Sequence, residues 1–128
     1  SGVDLSKVHY DYLLNDGNSK VWMIDQMIID RMDISAGFDH QKELLIFYQN
    51  GNFQYIPMQE LGHKKGRTGN YSLDSEGREL KMYFKKDVWH FKLDEITEDS
   101  IYLTPLSDSK VEFSMQLVPL KEIFLEDF

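Results

Sequence analysis

The segment Leu44-Leu-Ile-Phe-Tyr-Gln-Asn-Gly-Asn-Phe-Gln-Tyr-Ile56 contains two short apolar runs joined through Asn50-Gly51. An Asn-Gly pair between such segments is the strongest short-range signal for a β-hairpin, since both central residues of a type I′ turn need a positive φ. Segments joined by so tight a turn pair as antiparallel neighbours. We therefore predict antiparallel strands over 43–49 and 52–58.

Apolar and polar residues also alternate along other segments. The alternation is clearest over 110–117 and returns over 80–84 and 88–96. This period of two is typical of strands with one buried and one solvated face. Short turns such as Ser75-Glu76-Gly77 and Lys86-Asp87 separate the segments. Together they predict eight strands: 20–33, 43–49, 52–58, 67–74, 79–85, 87–96, 100–106 and 110–118.

The first of these segments, 20–33, fits more than one structure, because it is apolar on both faces in places. We expect it to carry a bulge, to bend sharply, or to form two strands. A helix over 23–32 also fits, since Ile24, Met27 and Ile28 fall at helical spacing. The many β-branched residues and Trp22 favour the strand.

Eight sequential antiparallel strands predict an all-β fold, a single up-and-down meander barrel, because closure removes the exposed edges of an open sheet. We expect one domain over 1–128, with the barrel over about 18–118. Before the barrel, Ser6 is expected to cap a short helix over 7–14 that acts as a plug or lid, with Val8 and Tyr12 on one side. After the barrel, an apolar stripe over 120–128 predicts a short C-terminal helix.

Composition narrows the function. The 128 residues carry a net charge of −8 and contain no cysteine. A nucleic-acid binder or a protein held on an anionic membrane surface needs a basic face, so we expect neither partner. The longest uninterrupted apolar run, Leu44 to Tyr48, is far shorter than the roughly 20 residues of a membrane-spanning helix.

Four segments resemble the small lipocalin-like domains of bacterial envelope lipoproteins. They are Val21-Trp22 at the start of the first strand, the hairpin Phe47-Tyr-Gln-Asn-Gly-Asn-Phe53, the turn Tyr71-Ser-Leu-Asp-Ser-Glu-Gly77, and Trp89-His-Phe-Lys-Leu93 leading into Ile96-Thr-Glu-Asp-Ser-Ile-Tyr-Leu103. The resemblance implies a lipocalin-like barrel in the periplasm or outer membrane. It also implies a signal peptide and a lipidated cysteine ahead of Ser1. It carries no catalytic residues.

Catalytic chemistry has little support in the sequence. The four histidines lie in separate segments without the spacing of a metal site, and no nucleophile or phosphate-binding motif is present. The parity of its strand places His90 outward beside Lys92, so we expect it to face solvent. Glu95, Glu98 and Asp99 lie in or next to a turn and are expected to be solvated. We expect no enzymatic activity, no metal and no cofactor.

Two candidate sites remain. The alternation directs nine aromatic side chains inward: Trp22, Phe47, Phe53, Tyr55, Tyr71, Phe84, Trp89, Phe91 and Phe113. Eight strands have room for side chains or for one small ligand, so these rings either fill the core or leave an apolar pocket at one mouth. In the second case the ligand-binding residues would be Trp22, Tyr55, Tyr71, Trp89 and Phe91.

The second candidate is the loop Gly62-His-Lys-Lys-Gly-Arg-Thr-Gly69, where His63, Lys64, Lys65 and Arg67 reverse the acidic charge of the chain. Backbone amides and cations there could hold an anion or an acidic partner. The alternative is a flexible loop kept soluble by its lysines.

Our leading hypothesis is a non-enzymatic binding or assembly module of the cell envelope with a protein partner. The exposed side chains of Tyr48, Tyr83 and Tyr102 would suit such contacts. One alternative is a carrier of a small apolar ligand in the barrel mouth. Another is an acidic inhibitor or immunity-type protein, whose charge would speed its association with a basic partner. A cytoplasmic location stays open under the last reading.

Overall fold

The structure is a computed structural model that describes residues 5–33, 42–63 and 66–120, with side chains from residue 10 onward and without that of Asp33. Within these ranges the chain forms one α-helix and nine strands, with a 3-10 turn at Met58–Glu60 between β4 and β5. The elements are α1 (Leu5–Asn15), β1 (Ser19–Ile29), β2 (Met32–Asp33), β3 (Glu43–Tyr48), β4 (Asn52–Pro57), β5 (Arg67–Asp74), β6 (Glu79–Tyr83), β7 (Val88–Ile96), β8 (Ile101–Pro105) and β9 (Ser114–Pro119).

Eight of the strands form a closed antiparallel barrel. From β3 to β9 each strand pairs with the next along the chain, and β1 pairs with both β3 and β9. Met23 lies opposite Val118 and Met27 opposite Met115, which completes the ring. The meander barrel predicted from the alternating segments is confirmed. The short strand β2 pairs with the end of β1.

The first predicted segment, 20–33, contains both a bulge and a hairpin. The register between β1 and β9 shifts between Ile24 and Gln26, as it does at a β-bulge. At Asp30 and Arg31 the chain reverses into β2, and both residues have positive φ, 50° and 68°. The helical alternative for 23–32 is wrong. Its backbone groups pair with strands instead, and neither Asp30 nor Arg31 carried the glycine signal of such a turn.

The hairpin of β3 and β4 is confirmed, with Phe47 opposite Phe53. Its turn type is not the predicted one. Gly51 has a φ of 92° and Asn50 has no positive φ, and the Gly51 amide donates to the Tyr48 carbonyl oxygen at 3.1 Å. The loop is therefore the three-residue type, a type I turn followed by a left-handed glycine.

The nine inward-pointing aromatic side chains all belong to one core cluster. Six of them are buried, and Tyr55, Tyr71 and Phe113 are partly buried against the same cluster. Leu45, Leu80, Phe91, Leu93, Leu103, Met115 and Leu117 have no exposed surface and complete this interior.

Helix α1 covers the end of the barrel at which β1 begins; we call this the helix end and the opposite one the far end. Leu13 and Leu14 are buried, and the indole N–H of Trp22 donates to the Leu14 carbonyl oxygen at 2.9 Å. The expected plug is thus present, with two corrections. The helix begins at Leu5, so Ser6 lies inside it and is not its cap, and Tyr12 is 55% exposed. The side chain of Val8 and the predicted C-terminal helix beyond Leu120 lie outside the described residues.

Candidate functional site

Four aromatic rings meet at the far end of the barrel. The ring centroid of Trp89 lies 5.2 Å from that of Tyr55, 4.6 Å from that of Phe84 and 5.9 Å from that of Phe113. Trp89 and Phe84 are buried, whereas Tyr55 and Phe113 are half-buried. We call these four residues the far-end aromatic cluster. It forms the apolar part of a candidate binding surface.

The hydroxyl of Tyr55 is held in its neutral form. Burial raises the pKa of this phenol well above its ordinary range, and the hydrogen bond to Glu43 and the charge of that carboxylate act in the same direction. Arg67 lowers the pKa, but by less. Tyr55 therefore donates a hydrogen bond at the edge of the cluster.

A cationic rim lies next to these rings. The guanidinium of Arg67 lies over the Phe84 ring, 4.2 Å from its centroid, and its Nη2 is 3.7 Å from Asp87 Oδ2. About half of the Arg67 side chain is exposed. Together with exposed Lys85 and Lys86 it lines a shallow cleft of about 330 Å³. The three cations outnumber the carboxylate of Asp87 in this cleft, so an anionic group bound here could accept charge-assisted hydrogen bonds from the guanidinium.

The predicted basic loop is only partly described. His63 is exposed at the end of the turn after Met58–Glu60, Arg67 opens β5, and Lys64 and Lys65 lie outside the described residues. Sequence reasoning missed Lys85 and Lys86 as neighbours of Arg67. The available signal was the meander itself, because the β4–β5 and β6–β7 connections of an up-and-down barrel meet at the same end.

The predicted interior residues do not line one site. Tyr55 and Trp89 lie at the far end, fully buried Phe91 touches Trp89 in the core, and Trp22 and Tyr71 lie at the helix end. The Tyr71 hydroxyl donates to the Tyr48 carbonyl oxygen at 2.6 Å and accepts from Asn15 Nδ2 at 3.2 Å. Burial raises the pKa of this phenol. The polar groups of Trp22 and Tyr71 thus fasten the plug.

Two further clefts lie outside the core. One of about 400 Å³ separates α1 from the barrel rim beside Tyr71, and one of about 530 Å³ crosses the outer face of β4 and β5 beside Tyr48. Of the three tyrosines expected to be exposed, Tyr83 is 41% exposed and the other two are half-buried. The Tyr48 hydroxyl donates to Gln54 Oε1 at 2.8 Å.

His90 contradicts its prediction, because it is only 6% exposed. Its side chain does point outward, but the chain between β8 and β9 lies over it. Nδ1 lies 2.6 Å from Asp108 Oδ1, and Nε2 lies 2.6 Å from Glu79 Oε1. Strand parity gives the direction of a side chain and carries no information about a loop that returns to cover it.

Among the described residues no group of three potential ligands is placed to hold a metal ion. In the same part of the chain no helix is long and apolar enough to cross a membrane.

Comparison with known proteins adds a likeness of fold. No protein-family model matches the sequence, and no curated protein matches it. The structure is similar to an NMR structure of a protein from Bacteroides uniformis ATCC 8492, with a TM-score of 0.61 and 12% sequence identity. The match covers 87% of this chain and 92% of that one. At this identity it shows a shared fold.

Proposed function

We propose that the protein is a non-enzymatic binding or assembly module of the bacterial cell envelope that holds a protein partner at the far end of its barrel. The observation that carries this proposal is the difference between the two ends within residues 5–33, 42–63 and 66–120. Leu14 plugs the helix end, whereas the far end presents half-buried Tyr55 and Phe113 beside the cation of Arg67.

The chemistry of the far end indicates what the partner presents. Aromatic residues and arginine are enriched among the residues that dominate binding energy at protein interfaces, and aromatic rings bury large areas at modest entropic cost. The far-end aromatic cluster suits an apolar side chain, and Arg67, Lys85 and Lys86 suit an adjacent carboxylate. The expected partner segment is therefore both apolar and acidic.

The packed interior argues for a surface contact over a ligand held within the barrel. Trp89 contacts the rings of Phe84, Phe91 and Phe113, so these side chains occupy the space that a deep calyx would need. The envelope location rests on the resemblance to lipocalin-like domains of envelope lipoproteins. The likeness to a bacterial protein of the same fold is compatible with it.

Site-specific photo-crosslinking tests the proposal. A benzophenone amino acid replaces Phe113 at the far end or, as the control, exposed Tyr12 on α1. The protein is then expressed in its native organism. We expect one protein species to be captured at position 113 and not at position 12. Arg67→Gln, in the 113 background, should lower the yield several-fold, because it removes the cation from the rim.

Two other results would contradict the proposal. Equal capture at both positions would show that the partner does not bind specifically at the far end. Absence of any captured protein, together with a small apolar compound retained in native mass spectrometry, would favour the carrier instead.

A further inference from the structure

The chain between β8 and β9 runs beside β7, along the edge that also pairs with β8. The amide of Leu106 donates to the His90 carbonyl oxygen, the amide of Lys110 donates to that of Val88, both at 2.9 Å, and the His90 amide donates to Ser109 Oγ at 3.0 Å. Beyond these bonds Val111 and Phe113 pack against the core. We call residues 106–113 the cover segment, because its Phe113 lies edge-on to Trp89 at the far end.

The ring of His90 ties the cover segment to the barrel. Its two nitrogens face Asp108 of the cover segment and Glu79 of β6, each at 2.6 Å. Ionised carboxylates only accept hydrogen bonds, so both ring nitrogens must carry a proton for both contacts to form. A ring that carries both protons would make both hydrogen bonds charge-assisted.

Other charged groups lie close to this arrangement. Lys81 of β6 is the cross-strand neighbour of His90, and Lys92 of β7 pairs with Glu79. The hydrogen bond from His90 holds the pKa of Asp108 below its ordinary range, and the charges of His90 and Lys81 act in the same direction. Asp108 thus stays ionised while it holds the ring.

Removal of one ring proton breaks this arrangement. A neutral imidazole has one donor and one lone pair, so one nitrogen would present its lone pair to a carboxylate. Glu79 belongs to a paired strand, whereas Asp108 lies in a turn with a 63% exposed side chain. The contact to Asp108 is the one expected to open.

We propose that His90 is a proton-controlled latch that holds the cover segment, and with it the Phe113 ring of the far-end aromatic cluster, against the barrel and so regulates access to the other three rings. This inference rests on the proposed function and names its regulation. The latch is closed while the His90 ring carries both protons and Asp108 is ionised. It opens when the ring loses a proton, and also at acidic pH, when Asp108 takes one up.

NMR spectroscopy tests the latch directly. The ring nitrogen shifts of His90 report its protonation, and the amide exchange rates of Leu106 and Lys110 report the attachment of the cover segment. After correction for the intrinsic effect of pH on exchange, we expect at least a fivefold rise in both rates as His90 loses its proton. The Leu93 amide, which donates to the Arg78 carbonyl oxygen near the helix end, should show no such rise.

Two variants and a control sharpen the test. His90→Gln should give fast exchange at Leu106 and Lys110 at every pH, because the neutral glutamine amide cannot form charge-assisted hydrogen bonds to both carboxylates. Asp108→Asn should do the same while leaving the histidine in place. His63→Gln, at an exposed histidine, should retain the response of the unmodified protein. A neutral His90 ring in the latched form, or equal exchange on both sides of its titration, would overturn the proposal.

Crosslinking separates this inference from the proposed function. With the benzophenone at position 55 on β4, which stays in place when the cover segment moves, the yield of captured partner should rise at least threefold when the latch opens. A change in exchange without any captured protein would support the latch and contradict the proposed function. Capture of a partner without a change in exchange would support the proposed function and contradict the latch.

Discussion

At the scale of single residues, the polar groups fasten elements to one another. Trp22 donates to the end of α1, Tyr71 joins the helix end to β3, and His90 joins β6 to the cover segment. Each of these donors is buried or half-buried, where an unmade hydrogen bond costs about 1–3 kcal/mol. These hydrogen bonds hold α1 and the cover segment in place against the barrel.

Gly69 illustrates a residue required by close packing. A side chain added there would meet the backbone carbonyl oxygen of Tyr83 on β6 and the ring of Phe53 on β4. We expect Gly69→Ala to lower the free energy of unfolding by about 1–3 kcal/mol, the usual range for overpacking. Urea titration measures this, and Ser72→Ala, at an exposed position of the same strand, should change stability by less than about 0.5 kcal/mol. Equal stability of the two variants would contradict the packing.

The decrease in the free energy of unfolding at acidic pH should depend on Asp108. Because its folded pKa lies below the ordinary value, its contribution is present above the unfolded pKa and is lost as pH falls through the folded one. Asp108→Asn should therefore flatten the fall in stability at acidic pH. Denaturant titrations from neutral to acidic pH measure this, with Asp94→Asn on β7 as the control for loss of one carboxylate. An unchanged dependence of stability on pH in Asp108→Asn would show that the folded protein in solution does not hold this carboxylate against His90.

At the scale of elements, α1 acts through its last turn. Leu14 has no exposed surface and belongs to the barrel core, whereas Tyr12, two residues earlier, faces solvent. The helix therefore stabilises the barrel by inserting its C-terminal end and not by laying down an apolar stripe. This is why its amphipathic pattern was a poor guide to its buried side chains.

Truncation of this plug should be costly. We expect Leu14→Ala to lower the free energy of unfolding by about 2–5 kcal/mol, since it removes a buried leucine and leaves a cavity. Tyr12→Ala, on the same helix, should change it by less than about 0.5 kcal/mol. Thermal or urea unfolding compares the two, and a similar loss in both would mean that α1 does not plug the barrel.

The elements also show how far sequence reasoning reaches. All eight barrel strands follow from alternation and turn residues, because both are local properties of the chain. The strand predicted over 110–118 begins only at Ser114, however, and the alternating residues before it belong to the cover segment. The hairpin at Asp30-Arg31 was missed, since the pair contains no glycine and arginine seldom adopts positive φ. The burial of His90 and the approach of Lys85 and Lys86 to Arg67 depend on which loops return to which end. Those contacts are set by the closed sheet and not by any local pattern.

At the scale of the whole molecule, closure by β1 and β9 leaves none of the eight barrel strands as a free edge. We therefore expect the amides of β1 that pair with β9 to exchange about as slowly as those of central β7. Hydrogen exchange followed by NMR measures these rates. Exchange of the Met27 and Met115 amides at rates typical of an edge strand would mean that the barrel is open.

The closed barrel gives the molecule two chemically different ends, one plugged by α1 and one carrying aromatic rings beside a cation. Photo-crosslinking from the two ends in the native cell is the direct test of this difference. We expect a single protein crosslinked through position 113, with a several-fold lower yield in Arg67→Gln and none through position 12. Capture through position 12 alone, or yields that do not depend on Arg67 or on the end of the barrel, would contradict it.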